Sequence, residues 1–486
     1  MLSSARRASA FATAGRVRAT LGSPGVLISA MLVVLCVLAA FGAVALAGTK
    51  TGMALALLVA VGPVAIYVAL TAPLIFPFGL FAIMVPFDNL MTIHSFGTIT
   101  KLLAICCAVA LAARLFVTRR YVVPDKAVLA WLPLVLLAIA SLAWAIDPMN
   151  GVTNVLSLLE LFLLYSLLSF MPVDRKTLGF VIVAVIAGGI LAGSYGAYLF
   201  HRGVDVTQDA RLVVQSGEQS IDPNHFAAAL LLPLALTLIA FVESRRILTR
   251  AFSLGALGLI GVGLLLAGSR GALVAAAVMV VYMTIRSRKR MALLFLTIGG
   301  GGIGLAAFGQ HILGRMNQIG ETGGAGRFGI WRVAAVAFSR HPFLGSGAGN
   351  FSNAYNDAFL SVPAFASMRI VEGAQWSTAP HSNIIWVAVE LGAVGLGILL
   401  YAWWMQYRSL RSIGETSQLY PLRIAIEAAL IGQFVAGLFL GTLNYKYLWL
   451  TFMIAMIVRN AELDTKGGSL REGVVSPLLQ TAARRS

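Results

Sequence analysis

Residues 271–308 read GALVAAAVMVVYMTIRSRKRMALLFLTIGGGGIGLAAF, two apolar blocks separated by the basic run Arg286-Ser-Arg-Lys-Arg290. A helix needs about 20 apolar residues (range about 17–25) to cross the hydrocarbon of a bilayer. A knot of arginine and lysine between two such blocks pins a tight turn in water on one side. The same alternation runs through the whole chain. Of its 486 residues, 59% are hydrophobic and 11% charged, and the mean hydropathy is +0.87. Soluble domains carry roughly 45–50% apolar and about 25% charged residues, so a soluble globular protein is excluded. A disordered chain is excluded with it, because such chains are poor in apolar residues. The expected fold is all-α: a polytopic integral membrane protein of about 12–14 transmembrane helices.

Fourteen apolar blocks can be placed, the first at 25–47 and the last at 443–458. The third, 73–87, holds Pro73, Pro77 and Pro86 and is expected to be a broken or re-entrant helix. With the N-terminus inside, 25 of the 36 Lys and Arg residues fall on the cytoplasmic side. Five of the other 11 lie in one long loop exempt from the positive-inside rule. The chain thus divides into a basic cytoplasmic tail (1–24), a transmembrane domain (25–458) and a cytoplasmic C-terminal tail (459–486). Segments 200–224 and 309–380 are the two long outer loops. The net charge of +17 sits between apolar blocks, where it sets orientation, and no nucleic-acid partner is expected. Cys36, Cys106 and Cys107 all fall inside apolar blocks. A thiol there behaves as a small hydrophobe, so neither a disulfide nor a metal site is expected.

All six histidines fall on the outer face or at its boundary, together with eight arginines that include Arg211, Arg270, Arg327 and Arg332. Imidazole and guanidinium together suit a reaction that needs a proton acceptor near neutral pH and a clamp for an anion. His381, in Ala379-Pro-His-Ser-Asn at the start of a span, is the sharpest candidate base. Gly392, eleven residues on, shares its face of a regular helix and would admit a close neighbour. The alternative for His381 is a boundary histidine bonded to its loop. Arg270, in Ala267-Gly-Ser-Arg-Gly271, opens a helix whose dipole also favours an anion; otherwise it snorkels. Arg211 is a second anion ligand or a solvated salt-bridge partner.

Several residues stand behind these. His225, in Asp222-Pro-Asn-His, is a second site histidine or a cap to the next span. His341 precedes Pro342 and serves the site or the loop. Glu160, Glu390 and Glu427 are intramembrane carboxylates, functional suspects by position. Glu390 lies about 180° round a helix from His381, so an interhelical hydrogen bond or an arginine partner is the favoured reading for it. No basic residue stands beside these carboxylates within their own spans. In Arg327 to Phe338, Trp331, Ala335 and Phe338 share a face, so an amphipathic helix is expected along the outer surface. Gly299 to Gly302 is read as helix packing. Walker, GxSxG, HExxH and CxxC signatures are missing.

These motifs, in this order, resemble the O-antigen ligase and Wzy-type polysaccharide polymerase family. The resembling parts are Asp222-Pro-Asn-His-Phe226, Gly268-Ser-Arg-Gly271, Gly326-Arg-Phe-Gly-Ile-Trp-Arg332, His341-Pro-Phe-Leu-Gly-Ser-Gly-Ala-Gly-Asn-Phe351 and His381-Ser-Asn-Ile followed by Glu390-Leu-Gly-Ala-Val-Gly395. The match covers about residues 200–405. It implies a GT-C-like helical fold with a large periplasmic loop, in the bacterial inner membrane, with both termini cytoplasmic. It further implies a metal-independent glycosyltransferase, inverting if displacement is direct, without a cofactor. Its donor would be a glycan linked to undecaprenyl diphosphate, and its acceptor another glycan or lipid A–core. Membrane lipid and other polysaccharide-assembly proteins complete the implied partners. The family's loop-end histidine and two outward arginines correspond here to His381, Arg211 and Arg270. Fourteen spans favour an O-antigen or exopolysaccharide polymerase over a ligase. The competing class is a flippase or transporter of lipid-linked oligosaccharides; no inverted hydropathy repeat supports it.

Reporter fusions after residues 122, 288 and 415 should read out in the cytoplasm, and those after 212 and 350 in the periplasm. A cytoplasmic signal at 350 would put the histidines on the wrong side of the membrane.

Overall fold

The computed structural model describes residues 50–93, 97–203, 212–216, 219–317, 327–362, 379–465 and 471–472. The tail 1–24, the expected first span at 25–47, Arg211 and most of the C-terminal tail lie outside the described residues. The chain divides into two units, Met1–Phe76 and Pro77–Ser486. The first contains helix α1, Lys50–Thr71, with Pro63 inside it. The second contains everything that follows.

Several helix starts in the second unit are set by small polar side chains that accept a hydrogen bond from the free amides of the first turn. Asp125 caps α4 (Lys126–Ala140) through Ala127 N at 2.9 Å, after the short α2 (Phe78–Met84) and α3 (Ile99–Thr118). Asp147 caps α5 (Pro148–Ser169), with proline favourably at its first position. Asp174 caps α6 (Arg175–His201). Asp222 caps α7 (Pro223–Ala229), which runs on into α8 (Leu231–Glu243). Next come α9 (Ile247–Leu266), α10 (Arg270–Arg286, capped by Ser269) and α11 (Arg290–Asn317). Two shorter helices, α12 (Arg327–Arg340) and α13 (Phe351–Phe359), fall in the long loop. The chain closes with α14 (Asn383–Ser409, capped by Ser382), α15 (Tyr420–Gly437) and α16 (Lys446–Thr465). Helices α10 and α15 pack side by side, as do α6 with α9 and α4 with α14.

The fold is thus the expected all-α membrane bundle. Seven of the described helices are long and apolar enough to cross a bilayer, and three shorter apolar helices accompany them. The block at 73–87 is broken, as its prolines predict: a helix at Phe78–Met84 passes into a 3-10 turn at Val85–Phe87. Polar cross-links sort the connections into the two sets that the basic residues define. At one end Lys446 pairs with Asp88 at 2.9 Å, Asn350 bonds the backbone of Asp147, and Asn383 bonds Thr442. At the other, Lys289 pairs with Glu243, Arg459 with Asp125, and Arg175 bonds Gln418.

Three expectations change. Glu427 and Glu160 do have cationic partners: Arg423, one turn away on α15, at 2.8 Å, and Lys101, from α3, at 2.9 Å. The second pair was invisible in the sequence because its members come from different helices. A Cβ added at any of Gly299 to Gly302 would meet nothing within 4 Å among the described residues, so that run forms no packing seam with them. The amphipathic helix at 327–340 forms, but its buried face is Val333, Ala334 and Ala337, and Ala335 is exposed. What packs there is α13, through Phe351, Ala354, Tyr355 and Ala358, and small residues permit the closer approach.

Helix α14 is interrupted at Gly392, whose backbone (φ 68°, ψ −168°) is non-helical. The regular-helix geometry that put Gly392 and His381 on one face therefore does not hold. The chain from Pro342 to Phe351 lies in the break. Ser346 N donates to Val389 O, Gly347 N to Glu390 O, and Ala393 N to Pro342 O, at 2.8–3.0 Å. The buried Glu390 carboxylate accepts from Gly349 N at 2.7 Å and from Phe351 N at 3.0 Å. A Cβ on Gly392 would stand 2.2 Å from Phe343 O, and one on Gly345 2.3 Å from the Glu390 carbonyl carbon. Glu390 thus ties the loop to the bundle and takes no part in the histidine and arginine cluster described below.

Gly392→Ala combines a left-handed backbone with a main-chain overlap and should destabilise the protein by on the order of 2–4 kcal/mol. Gly258→Ala, in a helix with nothing within 4 Å of the added carbon, should be neutral or stabilise by up to about 1 kcal/mol. Thermal unfolding of both variants in detergent measures the contrast.

Candidate active site

Four chain segments meet at the end of the bundle that carries the long loop. The first is the start of α7, where the Asp222 carboxylate accepts from Asn224 N at 2.7 Å. One turn on, the His225 ring stacks on Tyr445 with centroids 3.7 Å apart and planes inclined by 15°. Its Nδ1 lies 2.9 Å from the Tyr447 hydroxyl. The cap of this helix is Asp222, so His225 is not the cap that the sequence alternative allowed; its ring faces the start of α16.

The second segment is Gly268-Ser-Arg-Gly271. Gly268 takes a left-handed turn (φ 58°) and the buried Ser269 caps α10, which puts Arg270 at the first helical position. The segment after Arg211 is tied down nearby: Leu212 N donates to Leu266 O at 3.1 Å, at the end of α9. The third segment is the start of α12. Arg327 lines a narrow cleft with Asn224, Ser269, Gly271 and Phe439. Trp331, one turn along, donates from Nε1 to Pro380 O at 3.2 Å and so fixes the backbone just before His381.

His381 itself carries the fourth segment. It is half-buried in a left-handed conformation (φ 48°), immediately before the Ser382 cap of α14. The next residue, Asn383, is locked by a pair of bonds to Thr442, Thr442 N to Oδ1 at 2.6 Å and Nδ2 to Oγ1 at 2.7 Å. His381 is therefore held from both sides, by α12 through Pro380 and by the α15–α16 turn through Asn383.

The charges confirm the convergence. Burial and then the Arg327 guanidinium hold the His381 imidazole below its ordinary pKa of 6.5, with Asp222 opposing. Burial and then the charge of Arg270 lower Arg327 in turn, again against Asp222. His225 lies in the field of both Asp222 and His381. Arg270, Arg327, His381, His225 and Asp222 thus form one electrostatic group. Among the described residues no three His, Cys, Asp or Glu side chains come together at metal-binding spacing.

Residues 255–400 match the family model described as O-antigen ligase. Over that stretch the chain is similar to the O-antigen ligase family. No curated protein matches the chain. The matched stretch contains Arg270, Arg327 and His381, whereas Asp222, His225 and the two tyrosines come from the chain on either side of it. Arg332 and His341, expected as secondary members, are exposed. Asp222, Tyr445 and Tyr447 were missed by sequence reasoning. The signal for the tyrosines was the polar run Asn444-Tyr-Lys-Tyr447 opening an apolar block.

A half-buried imidazole held below its ordinary pKa, in the field of guanidinium groups, can accept a proton while the cations stabilise a departing anion. The neutral form is the one that reacts with diethyl pyrocarbonate, so modification of His381 followed by peptide mapping should have its midpoint below pH 6.5. Arg327→Gln removes a charge that disfavours the imidazolium and should move that midpoint to higher pH. A midpoint that stays put would separate the two residues.

Proposed function

We propose that the protein transfers a saccharide from undecaprenyl diphosphate to an acceptor hydroxyl at the periplasmic end of the bundle, in the bacterial inner membrane. The match of residues 255–400 to the O-antigen ligase family supports a role in O-antigen and related polysaccharide assembly. The observation that carries the finer reading is the meeting of one half-buried imidazole and two guanidinium groups in an otherwise apolar bundle. Breaking the anomeric C–O bond sends an electron pair to the diphosphate. Arg270 and Arg327, with the first-turn amides of α10, are placed to stabilise that charge. Arg211, outside the described residues, is the other arginine that the family resemblance assigns to the diphosphate.

His381 accepts the proton of the acceptor hydroxyl as it attacks the anomeric carbon, and direct displacement inverts that centre. The arginines supply the positive charge that a divalent ion would otherwise bring, so the reaction proceeds without metal. Helix α12, whose first residue is Arg327, covers the site as a lid. A polymerase, joining one lipid-linked repeat to another, is favoured over a lipid A–core ligase by the large number of apolar blocks.

Purified protein with a lipid-linked glycan should release undecaprenyl diphosphate, and should do so equally in EDTA. His381→Ala should lower turnover by at least about 10²-fold with donor affinity nearly intact. Arg270→Ala should weaken affinity and turnover together, and Arg270→Lys should recover only part, because lysine keeps the charge and loses the fork. Near-normal turnover in His381→Ala would move the base to His225. A deletion strain whose lipopolysaccharide keeps single repeats but loses long chains supports the polymerase; a bare core supports the ligase.

A further inference from the structure

The end of the bundle opposite the candidate active site has a cleft of about 660 Å³. One wall is the start of α4, with Asp125 and Lys126. The other is the last turns of α14, with Trp404 and Arg408, and Arg459 of α16 also lines it. Asp125 is the sole acid among the described lining residues, and it is engaged twice. Its Oδ2 pairs with Arg459 Nε at 3.0 Å, and its Oδ1 accepts from Ala127 N at 2.9 Å. Lys126 and Arg408, both exposed, therefore leave the cleft with positive charge that no lining acid balances.

Arg408 lies over the Trp404 ring, 5.0 Å from its centroid. A guanidinium stacked on a ring keeps its edge free to bond, and that planar fork can take two oxygens of one phosphate. Trp404 and Tyr401 are half-exposed, as aromatic side chains are where a bilayer meets water. Away from Lys126, the exposed Leu129, Leu132 and Leu136 share one face of α4, and the exposed Leu400 lies on the facing stretch of α14. A cationic pocket that opens onto an apolar, lipid-facing surface has the two chemistries of a phospholipid, arranged in the right order.

We propose that this cleft binds the headgroup phosphate of an anionic glycerophospholipid, with its acyl chains along the α4 leucines. The full-length protein in detergent, titrated with dioleoylphosphatidylglycerol and followed by native mass spectrometry, should retain that lipid in preference to dioleoylphosphatidylcholine. The double variant Lys126→Gln/Arg408→Gln should weaken retention by at least about tenfold, with thermal unfolding in the absence of lipid unchanged because both side chains are exposed. Millimolar inorganic phosphate should not displace the lipid. Equal retention of the two lipids, or undiminished binding by the variant, would overturn the proposal. Displacement by phosphate would overturn it in favour of a soluble phosphate compound. If the double variant unfolds early, the two single variants decide in its place: part of the binding should be lost in each, and unchanged binding in both refutes the site.

Discussion

A backbone amide or carbonyl left without a partner in an apolar surround costs several kcal/mol, and Gly392 creates such a situation by interrupting α14. The interruption frees the carbonyls of Val389 and Glu390 and the amide of Ala393. The chain from Pro342 to Gly347 takes all three, through Ser346 N, Gly347 N and Pro342 O. The Glu390 carboxylate then absorbs two further amides of the same loop, those of Gly349 and Phe351. Helix and loop are each incomplete alone and satisfied only together. From this lock the rest of the outer end is placed: α13 begins where the Glu390 bonds end, α12 packs on α13, and Trp331 of α12 reaches Pro380 beside His381. A carboxylate within the bundle here serves position.

The candidate site is held by polar contacts whose partners are far apart in the chain. Asn383 meets Thr442, His225 meets Tyr445 and Tyr447, and Arg327 shares a cleft with Asn224 and Gly271. Each of these residues lies at the start of a helix or in the turn before one. That is where a bundle can present side chains and first-turn amides together without breaking its apolar interior. The cations that converge there raise each other's cost. Arg327 is disfavoured by Arg270 and disfavours the imidazolium of His381 in turn, with Asp222 as the counterweight. A site built from mutually repelling cations is poised for an anion, and an anion arriving between the arginines would relieve the repulsion.

Two other carboxylates among the described residues of the bundle have cationic partners. Arg423 meets Glu427, which also accepts from Tyr282 Oη at 2.7 Å, and Lys101 meets Glu160. Position in an apolar block therefore did not by itself mark a functional carboxylate.

The sequence by itself determined the bundle and its two polar ends. Apolar block length and basic-residue counts depend only on the cost of hiding or exposing a side chain in lipid, and that cost is local. It also marked His381 and Arg270 at the starts of helices, where a polar residue can sit beside free first-turn amides. Only the tertiary structure decided which outer residues meet. Arg327 joins the group while Arg332, five residues along the same helix, faces away; His225 turns to the tyrosines of α16 while His341 stays on the surface. The face that α12 buries was likewise set by the neighbour it found. Contacts of this kind depend on loop closure and on the partner's shape, which no periodicity within a single segment encodes.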